Sequence, residues 1–367
     1  MRLHIYFIRR FLRMFFAVGA SFCAMMLLID LLEQTREFAD VSVSFTQTLG
    51  LAALNMPGSF YSILPLVVLL TGLALFLNLA RTSELVVTRA SGRSAIRSLI
   101  APVVAAFAVG VLTVVVFNPF VAGTSKQYDL KAGKYRGQAS SVLSLAQGEG
   151  LWLRQGSPEG QMVIRASRAN SDGTQLFDAT FMTFASGSGP IQRIHAASAR
   201  LENGAWNLRD VKVWDLSDAG INPEANAVSS QSLELPSDLT RQRIRDSFGA
   251  PSEIPVWDLP EFIDNLQRAG FSTQKHQVWL QMELALPLIY VAMLMIAAAF
   301  TMRHTRFGRT GVMVMGALGL GLGLFFLRNF AQVLGESGQI PAAMAAWSPP
   351  IIGIMLATGL LLHLEDG

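Results

Sequence analysis

The chain has a single cysteine, Cys23, in 367 residues. No intramolecular disulfide can form, so any soluble module must hold together by its own core. Charge is scarce. Asp, Glu, Lys and Arg make up 15% of the chain, against about 25% in soluble domains. With 51% hydrophobic residues, this balance places the protein in the membrane class before any motif is read. A G-x-x-x-x-G-K-[ST] run is missing, since Gly133-Lys134 is followed by Tyr135, which excludes P-loop nucleotide binding. The histidines His4, His195, His276, His304 and His363 are scattered. No metal-ligand spacing and no nucleophile–base arrangement is present, so neither a cofactor nor a catalytic residue is expected. The net charge of +3 arises from arginines at the ends of apolar runs. It forms no single basic face, which argues against nucleic acid.

What is present is a symmetric hydropathy pattern. Apolar runs at about 11–29, 57–80, 98–120, 278–302, 311–331 and 347–364 each have nearly the length needed to cross a ~30 Å hydrocarbon core as a helix. The expected fold is membrane α-helical: three spans, an all-β insert, then three more spans. The expected divisions are 1–120, 121–275 and 276–367. The first run has a basic start, but it is longer than a usual signal-peptide core and lacks an A-x-A site, so it is read as a retained span.

Loop charge orients the spans. Arg2, Arg9, Arg10 and Arg13 precede span 1. Arg81, Arg89, Arg93 and Arg97 follow span 2, and Arg303, Arg306 and Arg309 follow span 4. The loop after span 1 carries Asp30, Glu33, Glu37 and Asp40 against Arg36 alone. Both termini and the 81–97 loop are therefore expected in the cytoplasm, with the insert in the periplasm.

Within the insert, 127–147 reads as a helical continuation of span 3, and short alternating runs follow from residue 151. Asn203-Gly204 is a two-residue hairpin signal and 171–173 is a further turn. The antiparallel reading is a sandwich or jelly roll. Trp152, Phe177, Phe181, Phe184, Trp206 and Trp214 either fill its core or line a lipid-accommodating groove. The stretch 257–270 reads as a short amphipathic helix.

The loop RTSELVVTRASGRS after span 2 holds a short helix over 83–92, with Ser83 as N-cap and Glu84 in its positive first turn. It is either an interfacial helix with snorkelling arginines or a docking peg. As a peg, Leu85, Val86 and Val87 would anchor, while Glu84 and Arg89 would fix register.

SELVVTRASGRS, KYRGQ at 134–138, Leu151-Trp152 and PPIIG at 349–353, in this order of spans, resemble the lipopolysaccharide export permeases of the LptF/LptG family. The C-terminal half is most similar to its LptG branch. The resemblance implies a non-catalytic inner-membrane subunit of an ABC transporter that extracts lipopolysaccharide. It implies an LptF-like permease in a heterodimer, an LptB-like ATPase dimer and an LptC-like acceptor. It further implies ATPase coupling through Glu84, Leu85, Val86, Val87, Arg89 and Gly92. Lipid contact or gating would fall on Arg36, Arg136, Phe325 and Arg328. The alternatives are the paralogous LptF branch and a non-transporting mechanotransmission or sensor protein.

Two charges remain to be explained within the spans. Glu283 and Arg328 fall at similar depths in consecutive antiparallel spans, so they either pair in the bundle interior or snorkel independently. Gly319-x-x-x-Gly323 would allow close helix approach, or equally give a pliable lipid face.

Overall fold

A computed structural model of the chain describes residues 2–39, 43–84, 95–135, 144–145, 151–157, 160–170, 173–185, 189–202, 204–217, 222–237, 239–240, 244, 250–268, 271–302 and 310–365. The chain separates into two compact units. One comprises Met1–Arg136, Ser252–Trp257 and Gln274–Gly367. The other comprises Gly137–Pro251 and Asp258–Thr273.

The first unit contains six helices long and apolar enough to cross a bilayer, among the described residues. Helix α1 (Arg2–Glu37) and α2 (Phe45–Arg81) form an antiparallel pair. Their 36 and 37 residues give lengths of about 54 Å at 1.5 Å per residue, well beyond the hydrocarbon core. A full capping box starts α2: the Ser44 side chain accepts from the Gln47 N–H, and the Gln47 side chain accepts from the Ser44 N–H. The third span runs as α3 (Ala95–Leu112), a π-helical turn (Thr113–Phe117) and α4 (Asn118–Tyr135). The helix thus carries on into the polar stretch expected to be helical over 127–147, but it is described only to Tyr135, and Ser144–Leu145 is a strand, so the expected helix does not extend to 147. After the second unit come α6 (Gln274–Thr301), α7 (Thr310–Glu336) and α8 (Ala342–Glu365), the label α5 being kept for Leu259–Arg268.

The π turn has a local cause. Pro119 cannot donate to the carbonyl four residues back, that of Val115, and its ring crowds it. The widened turn absorbs the misfit, and the Trp257 indole donates to the freed Val115 oxygen at 3.4 Å. One residue on, the Asn118 side chain accepts the Val256 N–H at 2.9 Å. The strap 252–257 is thereby pinned to the third span.

Helix α6 is the axis of this unit. Val278, Met282, Leu286, Ile289, Tyr290, Met293, Leu294, Ile296 and Ala297 are all buried, and α6 packs against α2, α3, α7 and α8. Two close approaches fix it. A side chain at Gly110 of α3 would place its Cβ 2.5 Å from the Pro287 Cα, and one at Gly72 of α2 would lie 2.7 Å from the Ala297 Cβ. Only glycine lets those helices come so near.

The second unit is a seven-stranded antiparallel sheet in chain order: β1 (Ser144–Leu145), β2 (Leu151–Ser157), β3 (Gly160–Ala169), β4 (Gln175–Ala185), β5 (Pro190–Glu202), β6 (Ala205–Asp215) and β7 (Val228–Pro236). The all-β insert after the third span is as expected. The β5–β6 hairpin closes with Glu202 opposite Ala205 and Gly204 at φ +79°, the positive φ that such a turn needs. Asn203 lies outside the described residues.

Inward residues alternate along each strand, then slip by one at a common row. Burial steps from Ala166 to Ala169 in β3, from Leu176 to Ala179 in β4, from Ala196 to Ala199 in β5 and from Leu208 to Val211 in β6. The skipped positions include Asp178 and Asp210, both at φ +53°. Since 166 pairs with 179, 179 with 196 and 196 with 211, the slips line up as a crease across four strands. A creased sheet curls over one core, which explains a jelly-roll-like module whose strands pair in simple sequence. Ile164, Phe181, Ile194 and Trp206 fill it, joined by Leu266 of α5. The buried Gln155 carboxamide accepts from Trp206 Nε1 at 3.2 Å and from Ser237 Oγ at 2.7 Å, so the core tryptophan is satisfied. The aromatics do not form one set. Phe181 and Trp206 meet edge to face in the core, whereas Trp152, Phe177 and Trp214 lie beneath Arg165, Arg168 and Arg193.

Candidate functional site

Three features of the helical unit stand out chemically: a charged cluster joining α1 to α2, a buried polar cluster around Glu283, and two helices with open apolar faces.

The charged cluster centres on Glu84. Its Oε1 accepts from Arg10 Nη1 at 2.6 Å and from Thr82 Oγ1 at 2.8 Å. Its Oε2 accepts from Arg10 Nη1 at 2.7 Å and from Tyr6 Oη at 2.9 Å. Arg10 also donates to the Tyr6 hydroxyl and to the Asn78 carboxamide oxygen, and its guanidinium lies 5.5 Å from the Tyr6 ring centre. The ion pair is half-shielded, with 15% of the Arg10 and 32% of the Glu84 side chain exposed. Partial burial pushes the Glu84 carboxyl up, but hydrogen bonds from Arg10, Thr82 and Tyr6 outweigh it and leave it below its ordinary value.

Ser83 differs from its expected role. It takes a left-handed φ of +58° and its N–H bonds to the Ala80 carbonyl. That geometry ends α2 and is not the extended form of an N-cap. Leu85, Val86, Val87, Arg89 and Gly92 lie outside the described residues, as does Arg136.

The second cluster lies mid-bundle. Glu283 of α6 is 1% exposed and accepts a hydrogen bond from the Tyr61 hydroxyl of α2. Asn118, beside the π turn, flanks both groups, and Tyr290 is buried about two turns further along α6. Among the described residues, Glu283 Oε1 and Tyr290 Oη have no hydrogen-bond partner. Arg328 of α7 acts on Glu283 electrostatically, but no ion pair within 4.0 Å joins them among the described residues. The direct partner of Glu283 is Tyr61. Sequence reasoning missed Tyr61 and Asn118, since neither is charged; an asparagine followed by proline inside an apolar run was the available signal.

Elsewhere on α1, Asp30 is buried and accepts from Asn55 Nδ2 at 3.1 Å and Ser59 Oγ at 3.3 Å. Gln34 donates to the Tyr128 hydroxyl at 2.9 Å. Arg36, by contrast, is exposed at the end of α1.

The open faces belong to α1 and α7, the least buried of the six spans. On α7, Val312, Met315, Phe326, Phe330 and Val333 are each more than 60% exposed. Gly319 and Gly323 lie on that same stripe and meet nothing within 4 Å. Among the described residues, none uses the close approach that the glycine pair allows. Phe325 sits edge-to-face with Phe326 at 6.1 Å and leans on the bundle core. On α1, Phe16, Leu28 and Leu32 are likewise open.

Similarity to known proteins runs the length of the chain. It is 24% identical to the lipopolysaccharide export system permease protein LptG of Haemophilus influenzae over 361 residues, covering 95% of this chain and 96% of that protein. It is 26% identical to the LptG protein of Escherichia coli K12 over 310 residues, covering 83% and 79%. The sequence profile of the family described as lipopolysaccharide export system permease LptF/LptG matches residues 5–363. With six membrane-spanning helices and a β-sheet insert, the chain belongs to the LptF/LptG family of lipopolysaccharide export system permeases, multi-pass inner-membrane transport subunits rather than catalysts.

Proposed function

We propose that this chain is the LptG-type half of an ATP-driven extractor that lifts lipopolysaccharide from the outer leaflet of the inner membrane. A second, LptF-like permease packs against α1 and α7, and the lipid enters between the two subunits. Both termini and the loop after α2 face the cytoplasm, as the arginine distribution requires. The β unit stands in the periplasm and passes the lipid to an LptC-like bridge. What supports this reading above all is the pair of open apolar helices, α1 and α7, in a chain matched end to end by a permease family.

The energetics require a partner. Each acyl CH₂ drawn out of the bilayer costs about 0.8 kcal/mol, and no P-loop sequence is present here to supply work. An LptB-like ATPase dimer supplies it through the segment 84–92, with Leu85, Val86, Val87, Arg89 and Gly92 as the coupling residues beside Glu84. In this reading Arg36 and Arg136 are the basic residues that meet lipid phosphates, and Phe325 and Arg328 belong to the gate.

Copurification tests the coupling part. The ATPase is expected to come down with the wild-type chain and to be lost with Leu85→Asp. Photocrosslinking tests the lipid path. Probes at Phe16, Met315 and Phe326 are expected to label lipopolysaccharide or the second permease in an ATP-dependent way, while a probe at buried Met293 labels neither. Equal labelling at all four positions would overturn the reading.

A further inference from the structure

The Glu84 carboxylate belongs to the segment that the proposed function assigns to ATPase coupling, yet its geometry points inward. Three side chains converge on it. Arg10 and Tyr6 come from the first three turns of α1, and Thr82 from the end of α2. Arg10 reaches past the ion pair to Asn78 in the last turn of α2, so one guanidinium holds the helix end at two points. Charge-assisted hydrogen bonds of 2.6–2.7 Å from a planar, permanently charged group are the strong kind, and they fix direction as well as distance.

The remaining restraints act on the same spot. The carbonyls at the end of a long helix carry partial negative charge, and Arg10 lies against that end of α2. The preceding residue, Ser83, is held at a φ of +58°, a conformation that a non-glycine residue keeps only where its surroundings enforce it. At its opposite end, α1 carries the buried contacts of Asp30 and Gln34 to α2 and α4. Between those ends it exposes its apolar side.

We infer that Arg10 is a positioning residue, and that the Arg10–Glu84–Tyr6 cluster is the tether by which displacement of the 84–92 segment is delivered to α1. A segment that moved without this tether would reach α1 only indirectly, through the packing of α1 against α2. With it, α1, one of the two open helices, is carried along. The inference rests on the coupling role of 84–92 proposed above, and adds that Glu84 serves an intramolecular bond while its neighbours meet the ATPase.

The test uses the complete complex of this chain, the second permease and the ATPase, reconstituted in liposomes with lipopolysaccharide. Three quantities are read: ATPase retained, ATP hydrolysed, and lipopolysaccharide released per ATP. Arg10→Gln is expected to keep the ATPase bound and hydrolysing while the release ratio falls about tenfold, within the range that coupling between two sites spans. Arg10→Lys keeps the charge but loses the planar fork that reaches both Glu84 and Asn78, and should recover only part of the ratio. Tyr6→Phe removes one donor and should lower it less. The exchange Arg10→Glu with Glu84→Arg should restore a ratio that either single reversal destroys. An unchanged ratio in Arg10→Gln overturns the tether, as does a folded exchange variant that stays uncoupled, or a loss of bound ATPase in Arg10→Gln. Should Arg10→Gln fail to assemble, Tyr6→Phe and the exchange variant decide by the same ratio. A wild-type complex that binds no ATPase would instead sink the coupling role itself.

Discussion

Helices α6 and α7 follow one another in sequence, have 28 and 27 residues, and are each apolar enough to cross a bilayer. Their surroundings are opposite. Helix α6 is buried on nearly every side by α2, α3, α7 and α8, while α7 leaves a stripe from Val312 to Val333 open. In water that stripe would force association. In lipid, acyl chains are as apolar as leucine, so an exposed apolar face costs nothing and burial must be won by packing. The glycines record the difference. Gly72 and Gly110 admit α6 at distances no side chain would allow, whereas Gly319 and Gly323 of α7 face open space. A small-residue face that its own chain leaves unused is suited to a surface that another molecule occupies and leaves in turn.

The comparison can be broken most severely on the α6 side. Gly110→Leu drives a side chain into the Pro287 backbone, and is expected to cost about 1–3 kcal/mol or more by overpacking. A lower thermal midpoint of the detergent-purified complex would report it. Tyr61→Phe removes the donor to Glu283 and leaves a buried carboxyl without its direct partner, at about 1–3 kcal/mol. The double variant Tyr61→Phe with Glu283→Leu should be more stable than Tyr61→Phe alone, because replacing both partners removes the unsatisfied group. A double variant no better than the single would show that Tyr61 and Glu283 act separately.

Smaller effects are expected at the lightly buried helices. The Glu84 carboxyl sits below its ordinary value of 4.5. Its stabilising contribution is therefore complete above that value and lost as pH falls through the lower, folded one. Proteolytic nicking near the end of α2 should rise below about pH 4.5 in the wild type, and the pH dependence should vanish in Glu84→Gln. On α7, Gly319→Leu should change the stability of the isolated chain by less than about 0.5 kcal/mol, the usual span for open positions. The same substitution should weaken recovery of the second permease. A large stability loss there would mean that the α7 face is packed within the chain after all.

Much of the plan was legible because its signals are local. Six apolar runs, the hairpin at Asn203-Gly204 and the short amphipathic helix at 259–268 each depend on residues near one another in the chain. Continuation of the third span to Tyr135 was legible for the same reason. The sites were less so. Glu283 and Arg328 drew notice as charges in apolar runs, but the group bonding Glu283 is a tyrosine 222 positions away. A lone tyrosine in a span carries no mark of its partner. Arg10 read as one of four basic residues that orient a terminus, with nothing to single it out, and Glu84 as a charge offered outward. Ser83 fits an N-cap by residue type, while the helix ending at Arg81 put it at positive φ.

The amino-acid order by itself determined which segments are apolar and long enough to enter the bilayer and where the β module interrupts them. Those outcomes follow from transfer free energies, which add along the chain residue by residue. Only the tertiary structure decided which apolar helix is enclosed and which stays open, that Glu283 bonds Tyr61, and that Arg10 ties α1 to the end of α2. Those depend on close approach between distant segments, set by where glycines, a proline-made π turn and a few polar side chains let backbones meet.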